Sequence, residues 1–136
     1  WNRPEETTAA FKDGWVTVGD VAKRDEDGFI YIVDRKKDMV ITGGVNVYPR
    51  EIEELLFTHP AISDVAVIGV PDDKWGERLK AFVVPKSGES VTAESIATFC
   101  EGKLSGYKVP KDVAMIDALP RNANGKVLKT ELRKVG

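Results

Sequence analysis

The stretch Asp34 to Glu53, DRKKDMVITGGVNVYPREIE, constrains the fold more than any other part of the chain. A charged cluster, Asp34-Arg35-Lys36-Lys37-Asp38, precedes a short apolar run, Met39-Val40-Ile41, which Gly43-Gly44 then breaks. Pro49 opens an amphipathic segment with Ile52, Leu55 and Leu56 on one face. Proline at the first helical position needs no N–H partner, and Glu51, Glu53 and Glu54 face the positive end of the helix dipole, so a helix start is expected there. The glycine pair lets the backbone take φ angles that other residues avoid and lets it approach a ligand closely. The order is a polar, pivot-like segment, a short strand, a Gly-rich loop and a helix. Two readings stand open at this point: a strand-turn-helix corner with a solvated charge cluster, or a loop built for a ligand.

Downstream, Val65–Val70 and Leu79–Val84 read as strands, bracketed by Pro71-Asp72-Asp73 and Pro85. The first is almost continuously apolar, which implies cover on both faces. Val113–Ile116 is a third strand candidate. His59-Pro60 ends the helix begun at Pro49, and a histidine in a last turn suits a capping or surface role. Thr92 is an N-cap candidate, with Glu94 in the first turn. Ile96, Phe99 and Cys100 then form one apolar stripe, which makes Cys100 a packing residue. Thr130–Val135 reads as a short closing helix. Upstream, Val21–Arg24 and Phe29–Val33 flank the turn Asp25-Glu26-Asp27-Gly28, a strong hairpin signal. Asp13-Gly14 marks a further turn in a polar, Pro-led stretch anchored by Phe11 and Trp15.

Composition matters here for what it excludes. A chain of 136 residues suffices for one domain of ordinary size, and 42% hydrophobic with 31% charged residues is globular rather than disordered. The net charge of −2 leaves no basic footprint for nucleic acid. No apolar run approaches the ~20 residues that span a bilayer. No signal-peptide pattern opens the chain, and Trp1-Asn2-Arg3-Pro4 reads as the interior of a longer polypeptide. Cys100 is the only cysteine, so no intrachain disulfide forms, which is compatible with a reducing, cytoplasmic home. With His59 the only histidine, a zinc site or a Cys-His pair has little material, and no metal ligand is assigned.

Four positions carry chemistry of their own. Asp20 sits at the end of a strand, where a carboxylate accepts both hydroxyls of a ribose, although Gly-Asp pairs also populate ordinary turns. Arg35 offers a planar, always-charged fork suited to ribose oxygens or phosphate, or is one of a solvated run with Lys36 and Lys37. Trp75, in Trp75-Gly76-Glu77 between two strands, is a flat apolar wall for a ligand arm or a core flap. Lys126 follows the tight turn Asn124-Gly125, a position normally just solvated. No GxxxxGK[ST] phosphate loop occurs.

Asp34–Glu53 closely resembles the signature that links the large and small domains of adenylate-forming enzymes: acyl-CoA synthetases, aryl-CoA ligases, luciferases and peptide-synthetase adenylation domains. Further similarity covers nearly the whole chain. WNRPEET followed by Asp13-Gly14-Trp15 resembles the last segment of the large domain. Val18-Gly19-Asp20 stands where the family commonly has Thr-Gly-Asp, so the Asp matches and the hydroxyl is missing. Leu104-Ser105-Gly106-Tyr107-Lys108-Val109-Pro110-Lys111 resembles Leu-Pro-x-Tyr-x-x-Pro, with Ser105 in place of the first proline. PRNANGKVLKTEL matches the terminal motif nearly letter for letter.

The resemblance implies residues 1–36 as the tail of a large ATP-binding domain, including a β-hairpin. Residues 37–136 are then a small α+β C-terminal lid, with a central three-stranded sheet packed by helices. It implies Asp20 and Arg35 at the ATP or AMP ribose, and Lys37 as hinge. Thr42, Gly43, Gly44, Trp75, Tyr107 and Lys111 would face CoA, and Lys126 would reach the substrate carboxylate and the α-phosphate. The implied parent activity is an ATP-dependent, AMP-forming acid–CoA ligase, with fatty or aryl acids as substrate class and Mg²⁺ accompanying ATP. The lid's partners would be its own N-terminal domain, ATP, CoA and a small carboxylic acid, and the fragment alone would be inactive. A peptide-synthetase lid and a free-standing, non-catalytic binding module are the rival readings.

Overall fold

The computed structural model describes residues 2–135, so the match at Trp1 lies outside the described residues. The chain divides into two compact units, 1–37 and 38–136.

In the first unit, Pro4–Ala10 forms helix α1, with Pro at its start and Glu5 and Glu6 in its first turn. Strands β1 (Phe11–Lys12) and β2 (Trp15–Val16) pair across Asp13-Gly14. Both turn residues have positive φ, 51° and 81°, as a tight hairpin whose twist matches its strands requires. The expected longer hairpin follows as β3 (Asp20–Arg24) and β4 (Ile30–Arg35). Asp25 Oδ1 closes its turn by accepting the Phe29 N–H at 2.8 Å. The strands run slightly further than the apolar pattern shows. Asp20 opens β3 and Arg35 closes β4, which makes the two register partners.

A single 3₁₀ turn, Lys36–Asp38, carries the chain into the second unit. There β7 (Ile62–Asp72) and β8 (Gly76–Pro85) form a long antiparallel ribbon. The third expected strand, β9 (Asp112–Met115), lies parallel to β8 on its other side. The sheet reaches five strands because a hairpin of β5 (Val40–Thr42) and β6 (Val45–Val47) joins β8 at the pair Thr42↔Gly76.

The apolar run in β7 is covered on both faces, as its composition implies. Val65 and Val67 pack in one cluster with Leu79, Ala81 and Val83 of β8, under α2 (Pro49–Leu56) and α3 (Ala93–Cys100). Ala66, Ile68 and Val70 pack in the other with Phe82, Leu119 and Leu132, the last from α4 (Lys129–Val135). Alternate residues of one strand thus serve two helical layers, which the period of two dictates. Thr92 caps α3 as expected: its Oγ1 accepts the Ser95 N–H at 3.1 Å, and Ser95 Oγ accepts the Thr92 N–H at 3.0 Å.

Helix α2 ends at Leu56, so His59 lies in the turn beyond it rather than in its last turn. His59 Nδ1 accepts the Ala61 N–H at 3.1 Å and the ring meets Phe99 edge-on, a local structural role in the turn. One amide on the outer edge of β7 is taken by a side chain from α2. Glu53 Oε1 of α2 accepts the Val67 N–H at 2.7 Å and pairs with Lys129 Nζ at 2.8 Å, both side chains being 15% exposed.

Candidate functional site

The β5–β6 hairpin turns on Gly43 and Gly44, with φ of 57° and 79°. Gly43 is packed directly under Trp75. Its N–H donates to the Trp75 carbonyl at 2.9 Å, and a Cβ there would sit 2.9 Å from Trp75 Cε3. A Cβ on Gly44 would meet nothing within 4 Å. The two glycines therefore do different work: one seats an indole, the other keeps an exposed left-handed turn.

Each residue of Trp75-Gly76-Glu77 has a place. Asp72 Oδ1 accepts the Lys74 and Trp75 N–H groups at 3.0 and 2.9 Å and sets the turn that presents Trp75. These bonds, with the Trp75 N–H first, and then the Arg78 guanidinium hold the Asp72 carboxyl below its ordinary value of 3.8. Gly76, at φ 78°, pairs with Thr42. Glu77 Oε2 accepts the Ile41 N–H at 2.8 Å, so a carboxylate continues the join between β5 and β8.

Around Trp75 the chain forms a groove of about 160 Å³ lined by Thr42, Gly43, Val45, Arg78, Leu79, Tyr107, Val109 and Lys111. Five of the six residues expected at CoA line this one groove; Gly44 does not. The walls are apolar and one rim is cationic. Lys111 Nζ stands 5.6 Å from the Trp75 ring centroid and, among the described residues, forms no ion pair. Arg78 is committed to Asp112 at 2.9 Å, which raises its pKa above the ordinary arginine value. A narrow, largely apolar arm ending in an anion fits this chemistry.

Lys126 does not line the groove. It closes the turn that follows Pro120. Asn122 Oδ1 accepts the Asn124 and Lys126 N–H groups at 3.0 and 2.9 Å, and the Asn122 N–H donates to the Lys126 carbonyl at 2.9 Å. Beyond the turn the chain closes on itself through a single β-bridge, Arg121↔Val127. The Lys126 side chain is exposed and, among the described residues, makes no ion pair.

In the first unit Arg35 Nε pairs with Asp20 Oδ1 at 2.8 Å, so the two expected ribose residues face each other across the hairpin. A shallow pocket beside them is lined by Val18, Gly19, Arg35, Lys36 and Lys37. Lys37 lies in the 3₁₀ turn and is the last residue of its unit. Burial pushes the Cys100 thiol pKa up, as suits a packing residue and not a nucleophile. Among the described residues no three His, Cys, Asp or Glu side chains gather to hold a metal ion, and no residue here is assigned to Mg²⁺.

Sequence reasoning missed Val45, Arg78, Leu79 and Val109 as groove residues. Arg78 and Leu79 follow Trp75-Gly76-Glu77 directly, so the start of β8 was the signal. Val45 was hidden in a segment read as loop.

The residues 51–126 match the model of the AMP-binding enzyme C-terminal domain. The chain is 50% identical over 135 residues to a 2-succinylbenzoate–CoA ligase of Bacillus cereus, covering 99% of this chain and 28% of that protein. It is 51% identical over 134 residues to a long-chain-fatty-acid–CoA ligase of Mycobacterium tuberculosis, covering 98% and 26%. The crystal structure of ATP-bound MatB from Rhodopseudomonas palustris superposes with a TM-score of 0.90 at 43% identity, covering 99% of this chain and 27% of that one. The chain thus spans about a quarter of the length of these relatives. With its five-stranded sheet, its glycine hairpin and its lysine turn, the chain belongs to the family of AMP-binding enzyme C-terminal domains.

Proposed function

We propose that this chain is the C-terminal part of an AMP-forming acid–CoA ligase. Residues 37–136 form its lid and residues 1–36 the tail of its large ATP-binding domain. In the first half-reaction an oxygen of the substrate carboxylate attacks the α-phosphorus of ATP, and pyrophosphate leaves. In the second the CoA thiolate attacks the acyl carbon, and AMP leaves. Asp20 and Arg35 hold the ribose. Lys126 neutralises the carboxylate and the α-phosphate as they are brought together, a job for a mobile cation. Trp75, Gly43, Thr42, Tyr107 and Lys111 take the pantetheine arm and a phosphate of CoA. The substrate class is fatty or aryl carboxylic acids, and the compartment the cytoplasm. No described helix is long and apolar enough to cross a membrane.

One observation carries the reading. The Lys126 turn is fastened to Asp64, near the start of β7, while the groove is built on the turn after Asp72, at its far end. Eight steps along the strand separate Asp64 from Asp72, roughly 26 Å at about 3.3 Å per residue. Two chemically different surfaces at opposite ends of one ribbon suit two successive steps served in turn by rotation about Lys37.

The test is a pair of half-reaction assays on the complete ligase. Lys126→Ala should lower acyl-AMP formation by at least ~10²-fold. It should spare thioester formation from supplied acyl-AMP. Equal loss of both steps defeats the assignment.

A further inference from the structure

The turn that carries Lys126 is hydrogen-bonded to the sheet through one side chain, while Val127 beside it packs on the apolar cluster around Phe82 and Leu119. Arg121 Nη1 donates to the Gly125 carbonyl at 2.5 Å, and Nη2 donates to Asp64 Oδ2 at 2.5 Å. The Gly125 carbonyl belongs to the peptide group whose nitrogen is that of Lys126. Asp64 is fixed in turn on β7, its Oδ1 accepting the Val65 N–H at 3.0 Å. The remaining hydrogen bonds of the segment stay within the loop, those of Asn122, Gly125 N–H to the Asn122 carbonyl at 2.9 Å and Leu128 N–H to the Pro120 carbonyl at 2.8 Å, or run on into α4, where the Leu128 carbonyl accepts the Glu131 N–H at 2.9 Å. They set its shape. Among the described residues, Arg121 supplies its hydrogen-bonded tie to the sheet. One planar fork making two short bonds fixes direction as well as distance, which a point-charge ammonium does not.

We propose that Arg121 is a positioning residue for the adenylation half-reaction, holding the Lys126 turn against β7 through Asp64 and acting on the chemistry through Lys126. The inference rests on the role given to Lys126 above. The thioester step, which uses the groove at the other end of the ribbon, does not need this tie.

The experiment compares Arg121→Gln, Arg121→Lys, Lys126→Ala and the double variant Arg121→Gln/Lys126→Ala in the complete ligase. Pyrophosphate release, thioester formation from supplied acyl-AMP and the melting temperature are measured for each. Arg121→Gln should lower the adenylation kcat by about 10²-fold, the scale of a catalytic group misplaced by an ångström, with KM for ATP and acid little changed. Arg121→Lys, which keeps one bond, should fall between. Thioester formation should be unaffected, and Arg121→Gln should cost nothing further once Lys126 is alanine.

Unchanged adenylation in Arg121→Gln, alongside loss in Lys126→Ala, overturns the inference alone. Equal loss of both half-reactions, or a further loss in the Lys126→Ala background, also overturns it, because either result marks a general structural role. Intact adenylation in Lys126→Ala overturns the functional reading and this inference together.

Discussion

At the scale of single residues, the glycine pair shows how adjacent identical letters separate in use. Gly43→Ala places a methyl 2.9 Å from the Trp75 ring at a backbone φ of 57°, so the indole must move. Under the proposed function, thioester formation in the complete ligase should drop by roughly 10-fold or more, because a displaced wall would misorient an arm lying against it. The Trp75 indole N–H resonance should shift in the ¹H–¹⁵N spectrum. Gly44→Ala meets no atom, and its cost is the left-handed backbone alone, about 1–2 kcal/mol. Urea denaturation measures that cost, and the indole resonance should stay in place. Asp72 gives a pH prediction. Its carboxyl is held below its ordinary value, so its contribution to stability is present above the unfolded pKa and is lost as pH falls through the folded one. Asp72→Ala should therefore flatten the acid limb of the stability–pH curve, and a limb as steep as in the parent would refute the role. Much of this site could be read from the chain. Trp75, Gly43, Tyr107 and Lys111 sit in recognisable motifs, and they converge on one groove. Arg121 and Glu77 sit in the same motifs, yet their roles depend on partners 57 and 36 positions away, which no local pattern reveals.

At the scale of elements, the two long strands, the helix from Pro49 and the capped α3 were legible because each carries its own period or cap. Strand β6 was not: Val45–Val47 is three residues long, below the length at which alternation can be told from loop. Helix α1 also escaped, although Pro4, Glu5 and Glu6 are a sound helix start, because its stretch buries nothing and so has no apolar stripe to find. The cap of α3 is worth testing. Thr92→Ala removes the Oγ1 acceptor of the Ser95 N–H, one of the two reciprocal bonds, and should lower stability by ~1 kcal/mol in chemical denaturation. The link from α2 to α4 is stronger. Glu53→Ala leaves Lys129 half-buried without its partner and the Val67 N–H without its acceptor, and should cost on the order of 3 kcal/mol. Denaturant midpoints of Glu53→Ala and Lys129→Ala, alone and together, would show whether the pair is coupled.

At the scale of the whole molecule, the division at Lys37 has a direct readout. The connection is a short turn of exposed basic residues, Lys36-Lys37, between two compact units. Brief trypsin treatment should cut there first and leave a core beginning at Lys37 or Asp38, identified by its mass and by a single cooperative melt. Early cuts scattered through β7 or β8 would contradict the division. The outer edge of β7 bears on a different property. A sheet margin of this length is an open seam to which a neighbouring copy can be stitched strand to strand. By lodging a carboxylate over the Val67 amide, Glu53 occupies one stitch of that seam, and Asp64 takes the Val65 amide beside it. The same contact that joins two helices is thus also a safeguard for solubility, and a protein stripped of it should form intermolecular β-structure long before its ribbon comes apart.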